Sequence, residues 1–299
     1  MTAKINCAIL GSTGMLGSMV LRYLSLQPNL TLVPTTRALL DATRAGLSDL
    51  VAVLAGCDYA INCIGVIKPR IDEASTVSVQ RAIQINSLFP PLLADAAEFT
   101  GTKVLQIATD CVYSGREGGY LETALHDPTD VYGKTKSLGE SACLPSPAVR
   151  HLRCSIIGPG GPGGKDSLLG WFLGQPKGAT VKGYTNHYWN GLTTLAFARL
   201  CHGMMRAGLW ETLPPVQHVV PTNLISKYSL LNHFARYYDR SDIGIEEVEA
   251  SKVIDRTLDT ATPRMNDNLW ALAGYGGPAI IQQMVEELAA FTREREAAK

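Results

Sequence analysis

The sequence has no surplus of charge of either sign. Its 27 Lys and Arg balance 27 Asp and Glu, and no basic run interrupts that balance, so the electrostatic footprint of a nucleic-acid binder is missing and no such partner is expected. Long apolar runs are missing too. No stretch reaches the roughly 18–20 residues needed to span a bilayer, which argues against a membrane partner. The opening MTAKINCAIL lacks the charged start, apolar centre and small-residue cleavage site of a secretory signal, so a cytoplasmic protein is expected. The seven cysteines (Cys7, Cys57, Cys63, Cys111, Cys143, Cys154, Cys201) are odd in number, scattered and without a Cys-x-x-Cys pair; they read as reduced and mostly as core residues. No His/Cys/Asp cluster has ligand spacing, and His187 alone is no evidence of one, so no structural metal is expected. There is no internal repeat of fixed period, and IGPGGPGG is the one low-complexity tract.

What is present is a β-α rhythm. The strand-like INCAIL, LTLVPTT, YAINCIG, KVLQIATD and AVRHLRCSII alternate with the helical LSDLVAVLAG, VQRAIQINSLFPPLLADAAEFTG and YGKTKSLGESACL. Short apolar strands separated by helices predict an α/β fold, a doubly wound parallel sheet covered on both faces. With 299 residues the chain lies near the upper limit of ~250–300 for one domain. Residues 1–160 read as a dinucleotide-binding domain, and 161–299 as mainly a smaller substrate-binding lobe, with some segments returning to the sheet. Helices are expected at GLTTLAFARLCHGMM, SKYSLLNHFARYYDR and AIIQQMVEELAAFTREREA.

GSTGMLG, residues 11–17, sits between the first strand and the first helix. There a dinucleotide's pyrophosphate can rest on free backbone N–H groups at the positive end of a helix. Gly11, Gly14 and Gly17 let the backbone turn and let a phosphate approach it; a turn with no ligand is the plainer alternative.

A second constellation lies downstream. Tyr132 and Lys136 are four residues apart on a predicted helix and so share one face. An ammonium beside a phenol favours the phenolate, so Lys136 is expected to lower the pKa of Tyr132, which could then protonate a developing alkoxide. Thr109 ends the strand KVLQIATD at the carboxyl edge of the sheet, where its hydroxyl could bond the same substrate oxygen.

GSTGMLG, ATDCVYSG, DPTDVYGKTKSLGE and VRHLRCSIIGP together resemble the extended short-chain dehydrogenase/reductases, and specifically the dTDP-4-dehydrorhamnose reductase family. That family reads Gly-x-x-Gly-x-Leu-Gly, Thr-Asp-Tyr-Val-Phe-Asp-Gly and Tyr-Gly-x-Thr-Lys-x-x-Gly-Glu. The likeness is strong over about residues 5–160 and faint beyond. It implies Thr109, Tyr132 and Lys136 as the catalytic set, with Lys136 also touching the nicotinamide ribose. It implies cofactor contacts from Gly11, Thr13, Gly14, Met15, Leu16, Gly17, Asn62, Cys63, Ile64 and Gly65, and support for Lys136 from Asn86. Asp110, Cys111, Val112 and Tyr113 would face the substrate. Cys111, Tyr113 and Ser114 depart from the family's Tyr, Phe and Asp, which bears on the sugar rather than on the chemistry.

After the second strand the chain reads PTTR rather than a carboxylate. Arg37, with Thr35 and Thr36, suits a 2′-phosphate, so NADP(H) is preferred and NAD(H) left open. The run TNHYWNGLTT resembles the family's sugar-nucleotide loop: Asn186 would contact the substrate, Trp189 or Tyr188 could stack on a base or sugar, and Asn190 could cap the following helix. The implied activity is NAD(P)H-dependent reduction of the 4-keto group of a nucleotide-linked, dTDP-type 6-deoxyhexose, with a homodimer left open. The alternatives are an epimerase or dehydratase of the same superfamily and a non-catalytic NADP-binding regulatory subunit. Dehydratases carry an acidic pair after the strand-end Thr, whereas here Asp110 is followed by Cys111.

Overall fold

The computed structural model describes residues 4–161, 164 and 166–297; parts of the IGPGGPGG tract (residues 162 and 163) lie outside them. Five strands of the first half, β1 (Ile5–Leu10), β2 (Leu30–Pro34), β3 (Tyr59–Asn62), β4 (Lys103–Ala108) and β5 (Val149–Arg153), lie parallel in the order β2-β1-β3-β4-β5. The strand Val216–His218 joins beyond β5, also parallel, pairing Val216 with His151. This is the doubly wound, Rossmann-like sheet that the strand–helix alternation predicts. The chain leaves β1 for β2 on one side and returns to β3 on the other, so the crevice where such folds bind ligands opens at the carboxyl ends of β1 and β3.

Alternation along each strand divides the core. Cys7, Ile9, Ile61, Leu105 and Leu152 pack on one face under α1 (Met15–Leu24) and the helix Thr194–Ala207. Ala8, Leu10, Ala60, Val104 and Val149 pack on the other, under α2 (Leu47–Leu54) and residues of 89–97. Because both faces are covered, β1 reads as a continuous apolar run, and each large side chain so buried contributes about 1.5–3 kcal/mol. Cys7, Cys57, Cys143, Cys154 and Cys201 are buried and all seven thiols are free.

Two segments differ from their sequence reading. VQRAIQINSLFPPLLADAAEFTG is α3 (Thr76–Ile83) and α4 (Phe89–Thr100) joined by a π-helical step at Gln84–Leu88. Pro90 and Pro91 have no N–H, so the regular hydrogen-bond ladder cannot run through the joint. TNHYWN is not a loop leading into a helix: His187–Trp189 is a strand between Ile225–Ser226 and Ile254–Asp255. The helices Lys227–Tyr237 and Ile281–Ala297 occur where expected, and Pro263–Leu272 is a further helix. Among the described residues no helix is long and apolar enough to cross a membrane.

Candidate active site

The three glycines after β1 have three different roles. Gly11 has φ +76°, a left-handed conformation that suits glycine. A side chain at Gly17 would place its Cβ 2.2 Å from the Gly11 carbonyl oxygen, so its smallness lets α1 pack onto the loop. Gly14, the N-cap of α1, has only that same oxygen nearby, at 3.4 Å, so packing does not demand a glycine there. Gly14 adds no side chain over the first N–H groups of the helix, where the backbone of Gly161 already lies close, a Cβ on it falling 3.4 Å from the Met15 N. Gly14→Val is therefore expected to leave the fold intact while abolishing dinucleotide binding, and Gly17→Val to unfold the chain. Circular dichroism with a cofactor titration distinguishes them; unchanged affinity in the Gly14 variant would reduce the glycines to a turn.

Around the loop, some expected contacts prove structural. Thr35 is buried: its hydroxyl accepts from the Gly11 N–H at 3.3 Å and its carbonyl from the Ser12 N–H at 2.9 Å. It clamps the loop to the end of β2 and is not available to a phosphate. Leu16 is a core residue, so only its backbone could serve a ligand. Thr13 is exposed and Met15 partly buried. Asn62 is fully buried, donating to Gln106 Oε1 at 2.7 Å and accepting from the Ile64 N–H at 3.0 Å, which is the strand-end role. Cys63 and Ile64 are partly buried and Gly65 is exposed, and they follow it along the crevice. Asn86 does not reach Lys136; its amide is bound to both backbone groups of Val66 and to the Thr135 hydroxyl.

The catalytic candidates meet where β4 ends. Thr109 Oγ1 donates to Asp110 Oδ1 at 3.1 Å and accepts from the Cys111 N–H at 3.2 Å, capping a short turn over Asp110–Val112. The helix α5 (Val131–Cys143) starts at Asp130, whose carboxylate accepts from the Gly133 N–H at 2.8 Å and pairs with Lys68 at 2.8 Å. A Cβ on Gly133 would fall 2.2 Å from the Cys111 carbonyl oxygen, and one on Gly139 2.0 Å from that of Asn86. These glycines let α5 lie directly on the turn and on the π-helical step, and so bring Tyr132 beside Thr109. The Lys136 ammonium donates to the Ile107 carbonyl at 3.1 Å.

The electrostatics run against the sequence reading. Burial, reinforced by Cys111 and the Asp110 and Asp130 carboxylates, pushes the Tyr132 phenol well above its usual value, while a hydrogen bond with Thr109 pulls it back only in part. Burial lowers Lys136, partly offset by Glu140 and Cys143. Spacing on one helix face gives proximity; it does not reveal that both groups sit in a low-dielectric wall where the charged forms are disfavoured. Tyr132 is held as the neutral phenol, the form that can donate a proton.

Several substrate candidates turn inward instead. Val112 and Tyr113 are fully buried; Tyr113 stacks on Tyr120 at 4.3 Å, donates to the Leu121 carbonyl and accepts from Arg153 at 2.7 Å. Trp189 donates to Ser155 Oγ at 2.9 Å and Asn186 grips the Ala250 backbone. Asn190 binds both backbone groups of Leu258 rather than capping the helix, whose cap is Thr193. Asp110 is buried too, its carboxylate accepting from Thr109, and Cys111 beside it is partly buried. Two cations from the second half, unforeseen in the sequence, join them. Arg256 donates to the Tyr113 carbonyl at 2.9 Å and, with Thr109, Cys111 and Ser155, opposes the burial that raises Asp110. Lys227 is lowered by burial and stabilised by Asp110. Isolated basic residues in ISKYS and VIDRT carry no motif that would have marked them.

Residues 5–157 match the family model described as the RmlD substrate binding domain. Among solved structures the chain is similar to a dTDP-4-dehydrorhamnose reductase orthologue of Clostridium acetobutylicum, at 19% identity and TM-score 0.78, over 97% of this chain and 100% of that one. It is also similar to the dTDP-4-dehydrorhamnose reductase of Bacillus anthracis in complex with NADP, at 20% identity and TM-score 0.77, over 96% and 99%. A third similar structure is MoeE5 in complex with UDP-glucose and NAD, at 18% identity and TM-score 0.72, over 98% and 100%. At these identities the likeness establishes the shared fold. Among curated proteins, none matches the chain.

Proposed function

The chain belongs to the RmlD substrate-binding-domain family, and from that premise we propose that it reduces the 4-keto group of a nucleotide-linked 6-deoxyhexose, using NADPH. The observation that carries the reading is the meeting of Thr109, Tyr132 and Lys136 at the end of β4, with only β3 between it and the strand that leads into the glycine loop.

The residues present fit a dinucleotide. Gly14 puts no side chain over the start of α1, and the residue that lies against it, Gly161, has none either; Arg37, just past β2, has a side chain 65% exposed and tied only loosely to Asp41 at 3.4 Å. Bound there, the dinucleotide supplies the hydride. The chain's own groups do the rest. Thr109, once its proton turns from Asp110 Oδ1 to the substrate, orients the carbonyl oxygen; Tyr132 holds the proton which that oxygen takes up, and Lys136 presents an ammonium to the nicotinamide side. Lys227 and Arg256, both facing Asp110, suit the diphosphate of a sugar nucleotide.

NADPH consumption with a panel of 4-keto-sugar nucleotides tests the reading. Tight NADPH binding with no turnover on any of them would favour a regulatory subunit. The cofactor choice has its own test. Arg37→Ala is expected to weaken NADPH by about 1.5–3 kcal/mol through lost charge-assisted hydrogen bonds and to leave NADH nearly unchanged. Equal losses in fluorescence titrations of the two cofactors would remove Arg37 from the 2′-phosphate.

A further inference from the structure

Beside Lys136 lies a partly open cavity of about 10 Å³ lined by Asn86, Gln106, Lys136, Glu140 and His151, among others. That is close to the volume that admits a single water, ~10–15 Å³. His151 is 2% exposed; the Pro215 carbonyl acts on its ring, but among the described residues neither ring nitrogen makes a hydrogen bond of good geometry, so at least one is left without a partner. A buried polar group left unmade is costly, and such groups are normally met by protein or by enclosed water. The other polar walls are engaged. Asn86 is bound to Val66 and Thr135, Gln106 to Asn62 and the Ile107 carbonyl, and Glu140 to Arg153. Hydrogen-bonding capacity toward the cavity is left on His151 and on Lys136, whose ammonium has three protons and gives one to the Ile107 carbonyl; Glu140 keeps acceptor sites beside its bonds to Arg153.

We propose that His151 is a positioning residue: through one water held in this cavity it ties down the Lys136 ammonium, so that the third proton of that group is left for a ligand. The water accepts from Lys136 and donates to whichever nitrogen of His151 carries no proton. The imidazole is suited to accept, because burial, opposed in part by Glu140, brings its pKa down to about 4 and keeps it neutral. Lys136 is thus anchored twice on the sheet side, which selects one rotamer of a long flexible chain. No local motif marks His151; it lies on β5, in contact with the site only through the fold.

The inference rests on the proposed function only for what Lys136 holds, so direct NADPH binding, with no sugar present, is the readout. His151→Leu should weaken NADPH about tenfold, the loss of one hydrogen bond to a charged group, and His151→Gln, which can still bond the water, should restore affinity to within about twofold. Unchanged affinity in the leucine variant, or a loss that glutamine fails to rescue, overturns the proposal, the latter leaving His151 a packing residue. Should the leucine variant fail to fold, a crystal structure of the wild-type chain at a resolution that places waters decides. A water within hydrogen-bond distance of both Lys136 Nζ and a His151 nitrogen is expected, and a dry cavity refutes it. Absence of turnover with keto-sugar nucleotides would sink the reductase reading and leave this test standing.

Discussion

Tyr132→Phe is expected to lower kcat by about 10²–10⁴-fold, the usual contribution of a positioned general acid, while leaving NADPH affinity within about twofold of the wild type. The change removes one oxygen from a side chain whose ring stays on α5, and Gly133 and Gly139 still seat that helix on the Asp110–Val112 turn and the π-helical step. The pH profile carries a sharper expectation. Because burial raises the phenol's pKa in the unliganded chain, Tyr132 stays protonated across the neutral range, and kcat/KM for reduction, which reports free-enzyme groups, should show no tyrosine-dependent decline below about pH 10. A decline near neutrality that vanishes in the Phe variant would mean that the phenol is acidic in the free enzyme after all. Retention of more than about half of kcat on a verified keto-sugar substrate would remove Tyr132 as the proton donor.

The parts of the site legible in the sequence are those set by local chain geometry. A glycine loop between a strand and a helix, a Thr at a strand end and a Tyr and Lys one helical turn apart depend on neighbours within a few residues, and these elements form where the sequence pattern puts them. Side-chain direction was not legible where distant partners decide it. Tyr113 and Val112 follow the site immediately in sequence, yet Arg153 and Tyr120 draw Tyr113 into the core. Asn190 and Trp189 resemble a binding loop, but Leu258 and Ser155 claim their polar atoms. Arg256 and Lys227 were invisible for the converse reason: nothing near them in the chain marks them, and only the packing of the second half brings their charge to Asp110. The Tyr132 pKa belongs to the same class, since the spacing to Lys136 gives a charge and its distance but says nothing of the burial that outweighs it.

Glu140→Ala is expected to destabilise the protein by about 3–5 kcal/mol, because it strands a buried guanidinium. Arg153 is 1% exposed and Glu140 5%. The two carboxylate oxygens take Arg153 Nε and Nη2, while Nη1 lies 2.7 Å from both Tyr113 Oη and His218 Nε2 and Nη2 lies 3.0 Å from His126 Nε2. With the arginine fixed between them, both histidines are held neutral. Burial lowers them first and the Arg153 charge adds to it, bringing His218 to about 4. Burial alone would raise Glu140, but the Arg153 guanidinium brings its carboxyl below the usual value. All three folded-state shifts are downward, so their contribution to stability is complete above the unfolded values, about 6.5 for the histidines and 4.3 for the glutamate, and is lost as pH falls through the lowered ones. The wild type should therefore lose urea resistance progressively below about pH 6.5, and the Glu140→Ala variant should lack the glutamate's share of that loss, below about pH 4. Replacing the pair together, Glu140→Gln with Arg153→Met, should recover much of the single-variant loss, since a buried pair stabilises little relative to an apolar substitute and its cost appears when one partner is left behind. A Glu140→Ala protein whose urea midpoint matches that of the wild type at neutral pH would show that water reaches Arg153 once the carboxylate is gone, and that the network beneath the site is not closed.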